Sequence, residues 1–216
     1  MDYLTVALAK GRLAKETLIR LRVAGMGSAV DIGSRKLVFR DDVDGIEYLL
    51  VKPVDVITYV DKGVADIGVV GKDIILEQNI DVYELLDLQF GICAFVVAGF
   101  PGTDLYGQEK VLKIATKFPN ITKKYFAGKR EIEIIYLNGS VELAPLMCMS
   151  DCIVDLVETG NTLKENGLVI VEKMFDIGAK IIGNRTSYQF CYNKIQEFLK
   201  AIESEVDTNA TDYSWE

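Results

Sequence analysis

The sequence predicts an α/β protein in which short buried strands alternate with helices. Apolar runs such as Leu4–Ala9 and residues 92–98 have the length and composition of strands that are buried on both faces. Several of these runs lead through a glycine-containing turn into a helical segment, and in the first such segment Leu13, Leu18 and Leu21 recur at helical spacing. This alternation is typical of parallel sheets covered by helices.

Each predicted element follows from a local pattern. Strands are predicted at apolar runs bounded by turn-forming residues: residues 4–9, 36–39, 46–51, 66–70, 92–98, 111–115, 132–137, 152–157, 168–174 and 179–183. Helices are predicted at residues 13–23, 54–60, from about residue 73, and at 119–126, 141–149, 162–166 and 187–202. The acidic turn at residues 41–45 predicts a hairpin, and the polar tail at residues 203–216 predicts a frayed or disordered end.

The composition of the chain excludes several classes of function. The chain has 216 residues, a formal net charge of −8 and no histidine. Its negative field repels phosphate backbones, so nucleic-acid binding is not expected, and the lack of histidine excludes Ser-His-Asp and Cys-His catalysis.

The four cysteines form no Cys-x-x-Cys pair and are expected to be buried, reduced thiols. No secretory signal is recognisable, and no apolar run approaches the roughly 20 residues that span a bilayer, so we expect a cytoplasmic protein with no membrane partner.

Residues 155–163 give the strongest functional signal. They follow an apolar strand, open a helix, and read Asp-Leu-Val-Glu-Thr-Gly-Asn-Thr-Leu. A glycine turn at a helix start presents several N–H groups to an anion, and Thr159 and Thr162 add hydroxyls. The carboxylate of Asp155 can accept hydrogen bonds from vicinal sugar hydroxyls. These features predict a site for a ribose 5-phosphate, and the alternative is an ordinary strand–helix turn with a threonine cap.

Cations at strand ends give the second signal. Lys10-Gly11-Arg12 places two cations where a strand ends and a helix begins, an arrangement that opposes the helix dipole and so suggests a bound anion. Arg35 and Lys52 add charge at further strand ends, and together these residues could clamp a polyphosphate. The alternative for each of them is a solvated surface charge.

Two strand–helix units, at residues 65–71 and 150–155, resemble each other weakly and suggest two similar lobes. The alternative is that any two such units look alike. With two lobes, the site is expected in the cleft between them. Glu142, at a predicted helix start, would then face the cleft, and the alternative for that turn is an N-cap at Ser140.

Matches to one family run along almost the whole chain. They include residues 7–13, 66–73, 81–85 and 137–145, and the spaced positions Glu142, Ser150, Ile153, Asp155, Leu156, Thr159, Gly160, Thr162 and Leu163. With these motifs the chain resembles the short form of ATP phosphoribosyltransferase, the first enzyme of histidine biosynthesis. It departs from the family pattern at Ala9, Lys52, Ile57 and Cys148. Cys148 stands where the signature usually has glycine, and it is expected to tighten packing behind the loop.

The resemblance implies a two-lobed fold similar to type II periplasmic binding proteins, with the active site in the interlobe cleft. We expect residues 1–91 and 184–216 to form lobe I, and residues 92–183 to form lobe II with the phosphoribosyl pyrophosphate loop. The implied reaction moves the phosphoribosyl group from phosphoribosyl pyrophosphate to N1 of ATP, with substrate-bound Mg²⁺ and release of pyrophosphate. The short form is expected to form homodimers within a hetero-octamer, with a separate regulatory subunit similar to a histidyl-tRNA synthetase.

In this interpretation the catalytic candidates are Asp155, Lys10 and Arg12. The substrate-binding candidates are Glu158, Thr159, Gly160, Asn161, Thr162, Gly11, Arg35, Lys52 and Glu142. No protein side chain is predicted to bind metal. The main alternative function is a solute- or nucleotide-binding protein of the same fold without catalysis, and a phosphoribosyltransferase that acts on a free base is another.

Overall fold

The computed structural model describes residues 3–107 and 110–209, with the backbone alone for residues 204–209. These residues divide into two compact units. The first contains the described residues up to 75, residues 79–91 and the described residues from 178 onward. The second contains residues 76–78 and 92–177.

A six-stranded sheet forms the centre of the first unit. Its strands are β1 (Leu4–Ala9), β2 (Val38–Asp41), β3 (Ile46–Val51), β4 (Ile67–Gly71), β5 (Tyr83–Asp87) and β11 (Ala179–Gly183). They lie in the order β2-β3-β1-β4-β11-β5. β1 runs parallel to both of its neighbours, β3 and β4, and it is buried along most of its length because apolar side chains alternate between both faces.

Helices pack on both faces of this sheet. They are α1 (Arg12–Val23), α2 (Val56–Asp61, after a 3-10 turn at Pro53–Asp55), α3 (Lys72–Gln78), α7 (Arg185–Phe190) and α8 (Tyr192–Asn209). α1 and α8 pack against each other, and their apolar stripes cluster with Val6 and Leu8 of β1. Ala7 and Ala9 point to the opposite face and cluster with α2 and α3. The last residues of α3 belong to the second unit.

A five-stranded sheet forms the centre of the second unit. Its strands are β6 (Cys93–Gly99), β7 (Leu112–Thr116), β8 (Ile132–Tyr136), β9 (Cys152–Val157) and β10 (Val169–Ile177), in the order β10-β6-β9-β7-β8. One face packs against α4 (Pro119–Phe126). The other is covered by α5 (Leu143–Leu146) and α6 (Asn161–Glu165), through Ala144 and Leu163.

Most predicted elements are present, but several boundaries differ. The predicted helix at residues 141–149 is the single turn α5, because the chain leaves the helical conformation before Cys148, whose φ is +55°. The predicted closing helix is two helices, α7 and α8, which are separated at Cys191. α8 continues to Asn209, so residues 203–209 are helical and not frayed, since no glycine or proline interrupts the sequence there. Residues 210–216 of the predicted tail lie outside the described residues.

The sheets are mixed and not parallel throughout. β6 is antiparallel to β9 and β10, and β11 is antiparallel to β4 and β5. The assignment of residues 179–183 to lobe II was therefore wrong, because the backbone hydrogen bonds of β11 are made within the first sheet. Within the described ranges, no helix combines the length and the apolar character that a membrane crossing requires.

Candidate active site

The turn after β9 has the form that the sequence predicts for an anion-binding loop. β9 lies between β6 and β7, and the chain turns through Gly160 into α6. Gly160 has φ +74°, while a Cβ added to it would meet only Val157 Cγ1, at 3.8 Å. Glycine is therefore favoured here by the backbone conformation and not by lack of space. Leu163 is buried and anchors α6 to the sheet.

The polar groups of this loop face solvent. The side chains of Glu158, Thr159, Asn161 and Thr162 are exposed. The first N–H groups of a helix have no acceptor within the helix, and at α6 no side chain caps them. The loop can therefore offer backbone N–H groups and hydroxyls to an anion. The threonine cap, which was the alternative interpretation of this turn, is absent, because Gly160 is the N-cap residue of α6.

Asp155 lies on β9, three residues before Glu158, the first residue of the loop. Its side chain is 20% exposed, and its Oδ1 is buried without a hydrogen bond from any described residue. The nearest cation is Lys117, whose Nζ lies 3.7 Å from Oδ1 and so beyond hydrogen-bonding distance. Burial raises the pKa of this carboxyl, Lys117 opposes the rise, and Glu142 adds to it. Asp155 thus holds an unsatisfied acceptor immediately before a loop of donors.

Glu142 lies close enough to Asp155 for its charge to act on that carboxyl. It is half-buried at the N-terminus of α5, and its side chain makes no capping hydrogen bond. Ser140, the alternative cap, lies further back in the turn with φ +48° and does not cap the helix. The second unit therefore brings both predicted carboxylates and the predicted loop together.

Lys117 is a residue of this site that sequence analysis missed. It follows β7 directly, and β7 is the parallel neighbour of β9. A single lysine after an apolar run carries no functional signal, since most such residues are solvated. Only the pairing of two strands that are distant in sequence places it beside Asp155.

The predicted cations lie along one edge of the first sheet. β1 and β3 are in parallel register with Ala9 opposite Val51, so Lys10 and Lys52 emerge at adjacent carboxyl ends. The N–H of Lys10 donates to the carbonyl of Val51 at 2.8 Å, which fixes that register at the strand ends. Both side chains are exposed.

The remaining residues of this group lie at the same edge. Arg35 precedes β2, and the carbonyl of Leu37 accepts from the N–H of Leu50 at 2.8 Å, so the chain before β2 runs beside the end of β3. Gly11 is the N-cap residue of α1, and Arg12 is its first residue. The first turn of α1 contains no acidic residue. This edge can bind phosphate oxygens by charge-assisted hydrogen bonds.

The cysteines differ from the prediction. Cys152 is buried, and burial raises its pKa to about 12, but Cys93 and Cys191 are only half-buried. Cys148 is exposed, so it does not tighten packing behind the loop. Its φ of +55° explains the usual glycine at this signature position, because glycine adopts that conformation without strain.

Sequence comparison identifies relatives along the length of the chain. The model of the family described as HisG, ATP phosphoribosyltransferase, matches residues 52–204. An ATP phosphoribosyltransferase of Clostridioides difficile (strain 630) is 56% identical over 204 residues, which is 94% of this chain and 98% of the relative. Another, from Caldanaerobacter subterraneus subsp. tengcongensis, is 48% identical over 203 residues, which is 92% of this chain and 95% of the relative.

Comparison with solved structures identifies the same family. The ATP phosphoribosyl transferase (HisG:HisZ) complex from Thermotoga maritima contains a chain that matches with a TM-score of 0.83 and 36% identity, over 95% of this chain and 100% of that one. The periplasmic aliphatic sulphonate binding protein SsuA from Escherichia coli matches with a TM-score of 0.61 at 12% identity, over 96% of this chain and 73% of its own, a likeness of fold alone. The predicted two-lobed α/β fold, similar to periplasmic binding proteins, is confirmed.

The relatives also distinguish between the two main functional alternatives. The likeness to a solute-binding protein is one of fold, whereas the family match and the identities of about half the residues all point to one transferase. The resemblance seen in the signature at residues 142–163 is thereby confirmed. The chain belongs to the ATP phosphoribosyltransferase family.

Proposed function

We propose that residues 158–162 bind the 5-phosphate of phosphoribosyl pyrophosphate and that Asp155 binds its ribose hydroxyls. As a member of its family, the chain is a glycosyltransferase that transfers the phosphoribosyl group to N1 of ATP in the first step of histidine biosynthesis. The observation that carries the residue assignment is the buried Oδ1 of Asp155, which no described residue satisfies. A buried acceptor of this kind is costly unless a ligand donates to it.

The reaction demands little acid–base chemistry from the protein. N1 of ATP is itself the nucleophile, and pyrophosphate is a good leaving group. Bond breaking develops positive charge on the ribose, as in glycosyl transfer generally. An ionised Asp155 at the ribose hydroxyls would stabilise that charge, while the loop fixes the 5-phosphate. Positioning and charge stabilisation then account for catalysis in a chain that has no histidine.

The cations of the first unit are proposed to neutralise the phosphates of pyrophosphate or of ATP. Lys10, Arg12, Arg35 and Lys52 supply this charge, with the backbone of Gly11 between the first two. One charge-assisted phosphate contact contributes about 1.5–3 kcal/mol. Glu142 is proposed to accept a hydrogen bond from the sugar, since it lies close to Asp155.

Mg²⁺ is proposed to be bound by the substrate. The side chains at the edge of the first sheet are cations, which fit phosphate oxygens and not a metal ion. The ion would therefore be held by the phosphates themselves, as Mg²⁺ often is in nucleotide-dependent enzymes. When bound, it would stabilise the charge that develops on departing pyrophosphate.

A regulatory subunit similar to a histidyl-tRNA synthetase is the proposed partner, with homodimers of this chain in a hetero-octamer. The support is the relative from Thermotoga maritima, whose structure is a HisG:HisZ complex.

A cytoplasmic location is also proposed. It is supported by the four cysteines, all within the described ranges, which form no disulfide with one another.

Release of pyrophosphate from ATP and phosphoribosyl pyrophosphate tests the transferase activity on which these residue roles depend. With both substrates and Mg²⁺, we expect release together with phosphoribosyl-ATP, and omission of either substrate should abolish it. Addition of the cognate regulatory subunit should raise kcat/KM. A cooperatively folded chain that releases no pyrophosphate, either alone or with that subunit, would contradict the proposal.

A further inference from the structure

Lys117 and Asp155 occupy neighbouring positions on parallel strands. Thr116, the last residue of β7, is in register with Val154 of β9. Lys117 follows Thr116 and Asp155 follows Val154, so the two residues lie side by side. The fully buried Thr116 fixes this register, because its Oγ1 donates to the carbonyl of Val154 at 2.7 Å. The same oxygen accepts from the N–H of Phe118 at 2.9 Å. The backbone on both sides of Lys117 is therefore held.

The side chain of Lys117 is held between a ring and the carboxylate. Its Nζ lies 4.8 Å from the centroid of the Phe118 ring and 3.7 Å from Oδ1 of Asp155. Phe118 is itself buried and packs edge-on against Phe95, with centroids 4.8 Å apart. A cation over an aromatic face is attracted to it, so the ring favours the position of Lys117 that faces the carboxylate.

Two charged residues of opposite sign act on Asp155. Lys117 approaches from the β7 side, and Glu142 from the start of α5. On the β6 side, the residue opposite Asp155 is the apolar Val96, and Glu158 lies in the exposed loop beyond β9. Burial and Glu142 both favour the protonated carboxyl and raise its pKa, and Lys117 is the side chain that opposes them.

We propose that Lys117 is a positioning residue of the transferase, which keeps Asp155 ionised and oriented for the ribose hydroxyls and for the cationic transition state. The inference rests on the substrate-binding role proposed for Asp155. Lys117 need not touch the substrate in this role. It acts through the carboxylate, which accepts hydrogen bonds and stabilises positive charge only when it is ionised.

The pH dependence of kcat/KM for phosphoribosyl pyrophosphate tests this role in Lys117→Met, Lys117→Gln and Lys117→Arg. In the Met and Gln variants, activity should fall mainly at low pH, because more of Asp155 is protonated there. The ratio of kcat/KM at pH 8.5 to that at pH 6 should exceed the parent's by about threefold or more. Lys117→Arg should keep the parent's pH profile. Protonation of the substrates themselves affects the parent and all variants equally, so it does not change the comparison between their profiles.

Lys113→Met is the matched control. Lys113 lies on the same strand, is about half exposed and has its Nζ 3.6 Å from Glu133, away from Asp155. Its pH profile should equal the parent's. If the Met and Gln profiles run parallel to the parent's while Asp155→Asn is inactive, the role of Lys117 is wrong and that of Asp155 stands. If Asp155→Asn keeps full activity, the role proposed for Asp155 fails first.

Discussion

At the scale of single residues, Cys148 shows how a backbone conformation selects a residue type. Its φ of +55° lies in the left-handed region, which costs a side-chain-bearing residue about 1–2 kcal/mol. Cys148→Gly should relieve that cost, less the extra entropy that glycine has in the unfolded chain, for a net gain of up to about 1 kcal/mol.

Chemical denaturation of the parent and Cys148→Gly measures this gain. Met147→Gly is the control at the preceding position, where φ is −95° and glycine relieves no strain. It should destabilise by about 0.5–1 kcal/mol. Equal losses of stability in both variants would show that the conformation at Cys148 carries no strain.

At the scale of elements, the parallel pairing of β1 with β3 brings together cations that are distant in the sequence. Lys10 and Lys52 emerge at adjacent strand ends, whereas Lys15, also exposed, lies on the following helix α1. Lys10→Met and Lys52→Met should each lower kcat/KM by about tenfold or more, since each removes a proposed charge-assisted phosphate contact. Lys15→Met should change it by less than about twofold. Steady-state kinetics at fixed ionic strength distinguishes these outcomes. Equal effects at all three positions would show that these lysines act through the overall charge of the protein and not through direct phosphate contacts.

Elements with strong apolar patterns were predictable from the sequence. β9 and β11 were predicted with their observed boundaries, as was α4. β5 was not predicted, because its side chains are exposed or half-buried and form no apolar run. Pairing was not predictable either. β11 reads as a buried strand in any sheet, and only its hydrogen bonds to β4 and β5 assign it to the first unit.

The candidate site was predictable where its residues are adjacent in sequence. The loop at residues 158–162 and the Lys10-Gly11-Arg12 segment are visible as motifs. Lys117 was not, because its contact with Asp155 joins strands that are separated by α4, β8 and α5. The left-handed conformation of Cys148 was also not visible, because a cysteine, unlike a glycine, gives no indication of a positive φ.

At the scale of the whole molecule, the ionised Asp155 is expected to cost folding stability. Burial and Glu142 raise its pKa in the folded state, so the folded protein binds this proton more tightly than the unfolded chain does. Stability therefore falls as pH rises through the folded pKa, and the cost persists at neutral pH. Asp155→Asn, which is uncharged, should melt at a higher temperature than the parent at pH 7. The difference should shrink below pH about 3.9, where the parent carboxyl is protonated in both states.

The activity of Asp155→Asn is the most direct test of the proposal that Asp155 binds the ribose hydroxyls of phosphoribosyl pyrophosphate. Pyrophosphate release should be measured with saturating ATP and varied phosphoribosyl pyrophosphate, with the regulatory subunit present. Asp151→Asn, at the residue immediately before β9, is the control for loss of a nearby carboxylate, and it should keep kcat/KM near the parent's because Asp151 pairs with Lys110. We predict that Asp155→Asn loses about 100-fold or more in kcat/KM while its fold is intact. A folded Asp155→Asn protein with kcat/KM within about twofold of the parent would show that the Asp155 carboxylate has no role in the reaction.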